Sequence, residues 1–571
     1  MKERYHFLDG LRGGAMLLGL VLHGILSFAG IPIWPAMDVR SEPEVILPIM
    51  GWIHGFRMQL FFLVSGFFTA MMWKKRGGTA LVTQRLLRIG IPLVAGAVIL
   101  FPTMIVLGAW GGNVIAERKE MRAEESKAKP KEKKADQNAE RKLDQGLQRF
   151  VLTGNYTLVK VALNRGGDVN AKDDSGTPLL TLATIADDRA MIDLLLERGA
   201  DIEGRGADGG TALMSASFWG REQAAQGLLR AGAEVDAKNK KGETAIYLAN
   251  LDFELVEYFG KTFGVEVTEK NRAARERIVK ALEDGGAKGD PWGWYKLLAF
   301  VPILHHLWFL HYLLWLLAIF LPVALLARNF KGRLPDFLIG VPGCLVWLIP
   351  LTWWFQTLMP GEFGPTTAVG FVPWPPLLGY YAIFFFFGAM CFGRGIWEEK
   401  VGRYWPLWLL FSLVLGAFGM ELLEGGGDAV PWHANFVWKA IIGIMGFFWA
   451  YLGGGDPMPW LASGFAWTTI IAMMGFFRAF LNQGNPKVRY LSDSAYWLYL
   501  AHVPVMIAVQ ILISGWEIPL IIKLVIVIGG VTAVLLVIYE FAIRYTWVGA
   551  ILNGRKFRVP PLPLPTEKQD L

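Results

Sequence analysis

Two polar side chains in one apolar stretch could carry chemistry. The stretch LDGLRGGAMLLGLVLHG, residues 8–24, contains Arg12 and His23. Charged or titratable side chains are costly in hydrocarbon, so both residues need a reason to be there. Eleven helical steps of about 100° bring His23 to within roughly 20° of Arg12, about 16 Å along the axis. The spacing predicts a polar line that runs from the cytoplasmic membrane surface, at Arg12, to near mid-membrane, at His23.

Membrane helices are the elements that must position these side chains. The chain has 571 residues, of which 53% are apolar, and its mean hydropathy is +0.37. This composition is typical of a polytopic membrane protein and rare in a soluble one. We therefore predict an all-α, polytopic transmembrane helical bundle of ten or eleven spans, with ten preferred. Apolar windows long enough to cross a bilayer lie at 13–32, 48–73, 89–111, 299–327, 335–356, 377–395, 404–423, 434–453, 459–480, 493–514 and 518–545.

Charge and cysteine content exclude several kinds of partner. The formal net charge is +7, but the basic residues flank apolar segments instead of forming one patch, so we expect no nucleic-acid partner. The two cysteines, Cys344 and Cys391, both lie in apolar segments and indicate neither a disulfide framework nor a metal site. His305 and His311 are six residues apart, on largely opposite faces of a helix, so we expect no metal site there either.

A soluble domain interrupts the membrane part. The phrases GTPLLTLA, GTALMSAS and GETAIYLA place Thr177, Thr211 and Thr244 at spacings of 34 and 33 residues. This period matches the ankyrin repeat, a turn followed by two helices. Stacked repeats normally present a concave protein-binding surface, and a rigid spacer is the alternative interpretation. The predicted organisation is a membrane part at 1–111, a charged linker at 112–142, an inserted ankyrin-repeat solenoid at 143–288, and the rest of the membrane part at 289–571.

The distribution of Lys and Arg predicts the orientation in the membrane. The basic segments MKERYH (1–6) and WKKRGGTALVTQRLLR (73–88) are expected in the cytoplasm. The segments at 356–376 and 424–435 lack Lys and Arg and are expected on the outer side. The ankyrin domain then lies outside the cytoplasm, because long domains translocate largely regardless of charge.

Other polar residues in the apolar segments have two interpretations each. Arg12 alone could be a cytoplasmic anchor, and His23 alone could bond to a neighbouring helix. Arg85 and Arg88 share a helix face and could bind phosphates or extend to the interface. His502 could support His23 or play a structural part.

A further set lies near the outer ends of the second and fourth segments. These residues could line an acceptor-binding cavity, or they could be ordinary interfacial residues. Ser65, deeper in the second segment, could instead allow close helix packing. The set comprises His54, Arg57, His305, His306 and Trp308.

Several motifs together resemble a known family. They are LDGLRG with R-x10-H in the first segment, LFFLVSGFF (60–68), RLLR (85–88), HHLWFLHYLL (305–314) and LSDSAYWLYLAHVPV (491–505). They resemble acyltransferase family 3, the integral-membrane O-acyltransferases, and are similar to its branch of osmoregulated-glucan succinyltransferases. The inserted ankyrin repeats depart from the usual layout of that family.

The resemblance implies a function and roles for the residues. An acyl group, acetyl or succinyl, would pass from acyl-CoA to a hydroxyl of a cell-envelope carbohydrate or glycolipid, in the bacterial inner membrane and with no permanently bound cofactor. His23 would be the general base. Arg12 would hold the donor or stabilise developing negative charge, and Arg85 and Arg88 would bind CoA phosphates. Asp9, in the LDGLRG motif, would belong to the supporting residues.

Two other functions remain as alternatives. A multi-pass transporter with an ankyrin protein-binding domain would use Arg12 and His23 to line a pathway, but the sequence shows no two similar halves. An ankyrin-bearing receptor would need only one span as its anchor. The sequence favours the enzyme.

Overall fold

In the residues that it describes, the computed structural model consists of helices and the loops that connect them, with no β-strand. One isolated β-bridge joins Lys172 and Pro178. The all-α prediction is confirmed. The chain forms two compact units, Met1–Gly111 with Ala299–Leu571, and Gly112–Leu298. The described residues are 5–30, 34–38, 41–128, 139–239, 242–288, 295, 298–299, 303–329, 334–359, 363–394, 402–423 and 457–553, apart from 174, 252, 254–255, 258, 261–264 and 368.

The membrane part begins with three helices. Helix α1 spans His6–Ile25, α2 spans Pro43–Arg85 and α3 spans Ile91–Ala128. A 3-10 turn extends α1, and a π-helical turn joins α2 to α3. Within α2 the backbone leaves helical geometry at Gly77, where φ is +81°. The positive φ favours glycine, which has no Cβ to clash.

The inserted unit is a stack of short helices. Gly166, Gly199 and Gly232, which recur at the predicted period, all adopt positive φ between +84° and +92°, and Thr211 caps the helix that follows it by accepting the Met214 N–H. The ankyrin-repeat prediction is therefore confirmed. The helices are α4 Ala139–Leu152, α5 Tyr156–Asn164, α6 Leu179–Ile185, α7 Arg189–Glu197, α8 Ala212–Trp219, α9 Glu222–Arg230, α10 Ala245–Ala249 and α11 Glu269–Asp284.

The membrane part then resumes. A 3-10 turn at His305–Leu307 leads into its first helix, and π-helical turns flank its last but one. The helices are α12 Trp308–Ala327, α13 Asp336–Ile339, α14 Leu345–Thr357, α15 Pro375–Cys391, α16 Trp405–Leu423, α17 Met458–Leu481, α18 Pro486–Ile513, α19 Leu520–Leu524, α20 Val531–Ile538 and α21 Trp547–Asn553.

Six helical runs in the described residues are long and apolar enough to cross a membrane: His6–Phe28, Pro43–Ile115, His305–Ala327, Met458–Leu481, Pro486–Ile513 and Leu520–Ile543. The run Pro43–Ile115 contains two of the predicted spans. The window at 335–356 is interrupted, because the chain turns at 340–344 before the 13-residue helix α14. The window at 434–453 lies outside the described residues. The total of ten or eleven spans stays a prediction.

Packing around α1 sets up the site. Helix α1 contacts α2, α17 and α18. Its buried residues include Gly10, Gly13 and Gly19, and small residues let membrane helices approach closely. The contact between α1 and α18 brings the C-terminal half of α1, at His23, against the middle of α18, at His502.

Candidate active site

A histidine pair joins α1 to α18. His23 Nδ1 and His502 Nε2 are 2.7 Å apart, and the two rings lie nearly parallel, with centroids 5.0 Å apart and planes at 25°. His502 is 1% exposed, whereas His23 is half-buried. The two histidines are therefore directly hydrogen-bonded, and His23 is the more exposed of the two.

Hydrogen bonding fixes the tautomers of this pair. His502 Nδ1 lies 3.0 Å from the Leu498 carbonyl oxygen and 2.9 Å from that of Tyr499. Carbonyl oxygens only accept, so Nδ1 of His502 carries a hydrogen. In a neutral imidazole the other nitrogen then accepts, which makes His23 Nδ1 the donor. The Nε2 lone pair of neutral His23 is left free to take a proton.

These histidines line a cavity inside the membrane unit. The atom-free space in and around the cavity, open solvent included, is about 430 Å³. Its wall is mostly apolar and aromatic, as in many small-molecule sites. The cavity wall holds five of the predicted site residues, which are His23, Arg57, His306, Trp308 and His502.

The strained residue His305 precedes the cavity-lining His306. His305 has a φ of +45°, in the left-handed region that residues with a Cβ seldom adopt. The Tyr499 hydroxyl donates to the His306 carbonyl oxygen and so ties this turn to α18. Backbone strain of this kind persists where the surrounding structure enforces it, often at functional sites. Here it places the His306 side chain in the cavity wall.

Arg12, Arg85 and Arg88 lie together elsewhere in the membrane unit, close enough for their charges to interact. Arg12 Nη2 donates to the Ser492 hydroxyl at 3.1 Å. Arg85 Nη2 donates to the Thr69 hydroxyl at 2.9 Å. Three neighbouring guanidinium groups form a site suited to phosphate oxygens. The cluster joins Arg12 to the predicted phosphate-binding pair.

Arg88 is held by the last described helix. Its Nη2 donates to the Leu552 carbonyl oxygen at 2.6 Å, and the Tyr496 hydroxyl donates to the Arg88 carbonyl oxygen. Tyr496 lies on α18, the helix that carries His502. Helix α18 thus contacts both the arginine cluster, through Ser492 and Tyr496, and the histidine pair, through His502.

The other predicted site residues lie outside the cavity wall. His54 Nε2 is 3.0 Å from the Pro365 carbonyl oxygen, so this histidine binds a loop. Ser65 accepts at its carbonyl oxygen from the Thr69 hydroxyl and lies where α2 meets α15. Asp9 and His305 are partly exposed and are absent from the residues that line the cavity.

Sequence reasoning missed Tyr499, Gln510 and Trp34. Tyr499 lines the cavity one helical turn before His502, so its spacing was a usable signal. Gln510 donates from Nε2 to the His23 and Gly24 carbonyl oxygens at 3.0 Å each.

The Trp34 indole N–H donates to Gln510 Oε1 at 3.0 Å. The Trp34 ring lies parallel to the His23 ring at a centroid distance of 6.4 Å. Trp34 lies in a loop, where no periodicity points to it.

A buried ion pair anchors the same loop. Lys523 Nζ lies 2.6 Å from Asp38 Oδ1 and 2.7 Å from Oδ2. The two side chains are 0% and 1% exposed. The loop after α1 is therefore fixed at Trp34 by α18 and at Asp38 by α19.

Comparison with known protein families gives two matches. A family model described as an acyltransferase domain matches residues 5–116 and 278–540, about two thirds of the chain. A model for ankyrin repeats, in three copies, matches residues 147–239.

Curated relatives include the glucans biosynthesis protein C of Escherichia coli strain SMS-3-5 and that of Escherichia coli O157:H7. Each is 34% identical over 107 residues, which are 18% of this chain. The match spans 27% of the length of each relative.

Proposed function

Since the chain belongs to acyltransferase family 3, we propose that it transfers an acyl group, acetyl or succinyl, from acyl-CoA to a hydroxyl of a cell-envelope carbohydrate or glycolipid. The protein is a membrane acyltransferase of bacterial type with an inserted ankyrin-repeat domain. The donor, the acceptor and the residue roles are the proposed part. Acyl-CoA acts as a substrate, and no permanently bound cofactor takes part.

The observation that carries the proposal is the hydrogen bond between His23 and His502. It leaves the Nε2 lone pair of His23 free at a cavity. A positioned base of this kind typically contributes 10²–10⁴-fold to a rate. Arg12, one member of the arginine cluster, lies on the same helix as His23, about 16 Å away along the axis. An acyl donor whose phosphates bind the cluster would extend along α1 to place its thioester in the cavity.

The proposed reaction uses His23 twice. His23 Nε2 takes the proton of the acceptor hydroxyl while the hydroxyl oxygen bonds to the thioester carbonyl carbon. The tetrahedral intermediate then breaks its carbon–sulfur bond and expels the CoA thiolate. The thiolate takes the proton from the His23 imidazolium, so the products are an ester and free CoA, and the base is regenerated.

The acceptor class is proposed from the names of the relatives and from the aromatic side chains at the cavity. The relatives are named for glucan biosynthesis, and the cavity wall carries Trp308, with Trp34 stacked beside His23. Aromatic rings with a polar edge suit the faces of sugars.

We also propose that the enzyme lies in the bacterial inner membrane with its ankyrin domain outside the cytoplasm. The concave surface of the repeats would bind a protein partner.

The test is an assay of CoA release. The purified full chain in nanodiscs would be given acetyl-CoA or succinyl-CoA with envelope glycans as acceptor. His23→Ala should lower the rate by 10²–10⁴-fold because the base is lost. His311→Ala is the matched control, since His311 accepts from Trp315 outside the cavity and should leave the rate unchanged.

Two results would contradict this proposal. Full activity of His23→Ala would remove the assigned base. If the wild-type chain consumed neither donor with any glycan fraction, acyl transfer from CoA would be rejected and the transporter alternative would become the leading one.

A further inference from the structure

Arg57 is a buried cation without a counter-ion in the part of the chain that the structure describes. The residue is 8% exposed, within the apolar run of α2. Its Nε is buried and has no hydrogen-bond partner. The ion pairs that the structure describes all join a carboxylate to a cation other than Arg57. Asp38, for example, pairs with Lys523. Removing a guanidinium from water without pairing it is strongly unfavourable, so this residue needs an explanation.

In the part of the chain that the structure describes, the cavity around Arg57 carries no negative charge. None of the described residues that line the cavity has a carboxylate. The ionisable groups near enough to interact with the Arg57 charge include Tyr381, Tyr499, His23 and His502. Tyrosine is neutral at pH 7 and a neutral imidazole carries no charge, so none of them is an anion. Among the described residues Arg57 has no anionic partner, and a bound ligand can supply one.

The guanidinium lies against α1 next to the proposed base. A Cβ on Gly19 would stand 2.4 Å from Arg57 Nη1, so the approach requires glycine. Gly19 precedes His23 by four residues, which places both on one helix face about 6 Å apart along the axis. Arg57 and His23 thus face the same cavity from neighbouring positions.

We infer that Arg57 binds a negatively charged oxygen of the acyl donor while His23 accepts the proton of the acceptor. This inference rests on the proposed function and extends it. Arg12, the candidate for charge stabilisation from the sequence, lies about 16 Å along α1 from His23 and contacts Ser492. Arg57 is the guanidinium that lines the cavity.

The oxygen has two chemical sources. In the first, attack of the acceptor oxygen on the thioester carbonyl carbon moves the carbonyl π electrons onto the carbonyl oxygen, which becomes the oxyanion that Arg57 stabilises until the carbon–sulfur bond breaks. In the second, the oxygen belongs to a carboxylate at the far end of a dicarboxylic acyl group. Both sources present the same anionic oxygen chemistry to one guanidinium.

Kinetics with two donors separate these sources. Arg57→Gln and Arg57→Lys would be compared with the wild type, using acetyl-CoA and succinyl-CoA. An oxyanion role predicts that Arg57→Gln lowers kcat by 10²–10³-fold with every donor that the wild type uses, with KM nearly unchanged. A carboxylate role predicts a loss of kcat/KM with succinyl-CoA alone. In both cases Arg57→Lys, which keeps the charge, should retain more activity than Arg57→Gln.

A matched variant controls for loss of positive charge in general. Arg328 is an exposed arginine of the membrane unit that lies over the Trp73 ring. Arg328→Gln should leave kcat and KM unchanged with both donors.

A second variant displaces the guanidinium without removing it. Gly19→Ala would force Arg57 Nη1 away from α1 and should lower kcat at least 10-fold. Its control is Gly10→Ala on the same helix, whose Cβ would meet the flexible end of Leu481 at 3.0 Å and side-chain atoms of Phe477 and Val488 at 3.4 Å each. This pair remains informative if the Arg57 variants fold poorly.

The outcomes keep this inference distinct from the proposed function. If the wild type transfers neither acyl group, the proposed function fails. If the wild type transfers an acyl group while folded Arg57→Gln and Gly19→Ala retain its kcat and kcat/KM, the inference about Arg57 is wrong although the acyltransferase assignment stands.

Discussion

At the scale of single residues, the site depends on which nitrogen of an imidazole holds its hydrogen. A base in a membrane bundle works only if its lone pair faces the substrate. His502 is held by two backbone carbonyls of its own helix, and it orients His23 in turn. His502 is therefore a positioning residue, and its effect on the reaction passes through His23.

The pair should behave as one unit in kinetics. His502→Ala should lower kcat on the order of 10²-fold, because His23 loses the acceptor that fixes its tautomer. The double variant His23→Ala/His502→Ala should be no slower than His23→Ala alone. Rates of CoA release from the three variants and the wild type measure this.

Two further measurements test whether His23 and His502 act together. Independent, multiplicative losses in the double variant would show that the histidines do not act together. The pH dependence of kcat should change in His502→Ala, whereas a residue that only supports the fold would leave the profile in place.

At the scale of elements, the site depends on helices that approach at backbone distance. Helices α2 and α15 cross at two glycines. A Cβ on Gly66 would lie 1.8 Å from the Phe385 carbonyl oxygen, and one on Gly388 would lie 1.9 Å from that of Leu63. Helix α2 carries Arg57 and also Thr69, which holds Arg85. The crossing therefore positions residues at both ends of the proposed donor path.

Substitution at this crossing should cost stability. Gly66→Ala and Gly388→Ala each place a methyl group against backbone that cannot move aside as a side chain could. Each should destabilise the membrane unit by about 1–3 kcal/mol or more, seen as a lower melting temperature in detergent. Gly108→Ala in α3 is the control, because nothing lies within 4 Å of its Cβ. Equal melting temperatures for all three variants would rule out a close crossing.

At the scale of the whole molecule, the chain divides into two units with separate cores. The membrane unit has a core that is rich in aromatic residues. The inserted unit has its own core of Leu, Ala, Ile and Met side chains from the stacked repeats. Each repeat buries its apolar face on its neighbours, so the stability of the insert arises within it.

A core truncation in the insert should leave catalysis intact. Leu195 is 0% exposed in that core, and Leu195→Ala should destabilise the insert by about 2–5 kcal/mol. In the full chain we expect a melting transition of the insert at lower temperature, with an unchanged rate of CoA release at 25 °C.

Leu158→Ala is the comparison, since Leu158 is 40% exposed and its truncation should cost less than about 0.5 kcal/mol. A fall in the rate of CoA release in Leu195→Ala, with none in Leu158→Ala, would contradict independent units.

Local patterns in the sequence were enough to predict the all-α class, the ankyrin insert and the placement of Arg12 and His23 on one helix. Apolar length, a repeat period and helical spacing depend on neighbours along the chain, so they can be read without a fold. The 335–356 window shows the limit, because its apolar composition concealed a turn at 340–344.

Tertiary structure alone decided which distant residues meet. His23 and His502 are separated by 479 positions, and the direction of their hydrogen bond depends on carbonyls of α18. The close contact of Arg57 with Gly19 and the stacking of Trp34 on His23 follow from the packing of α1 against other elements. Such contacts depend on side chains brought together by folding, and no spacing along the chain encodes them.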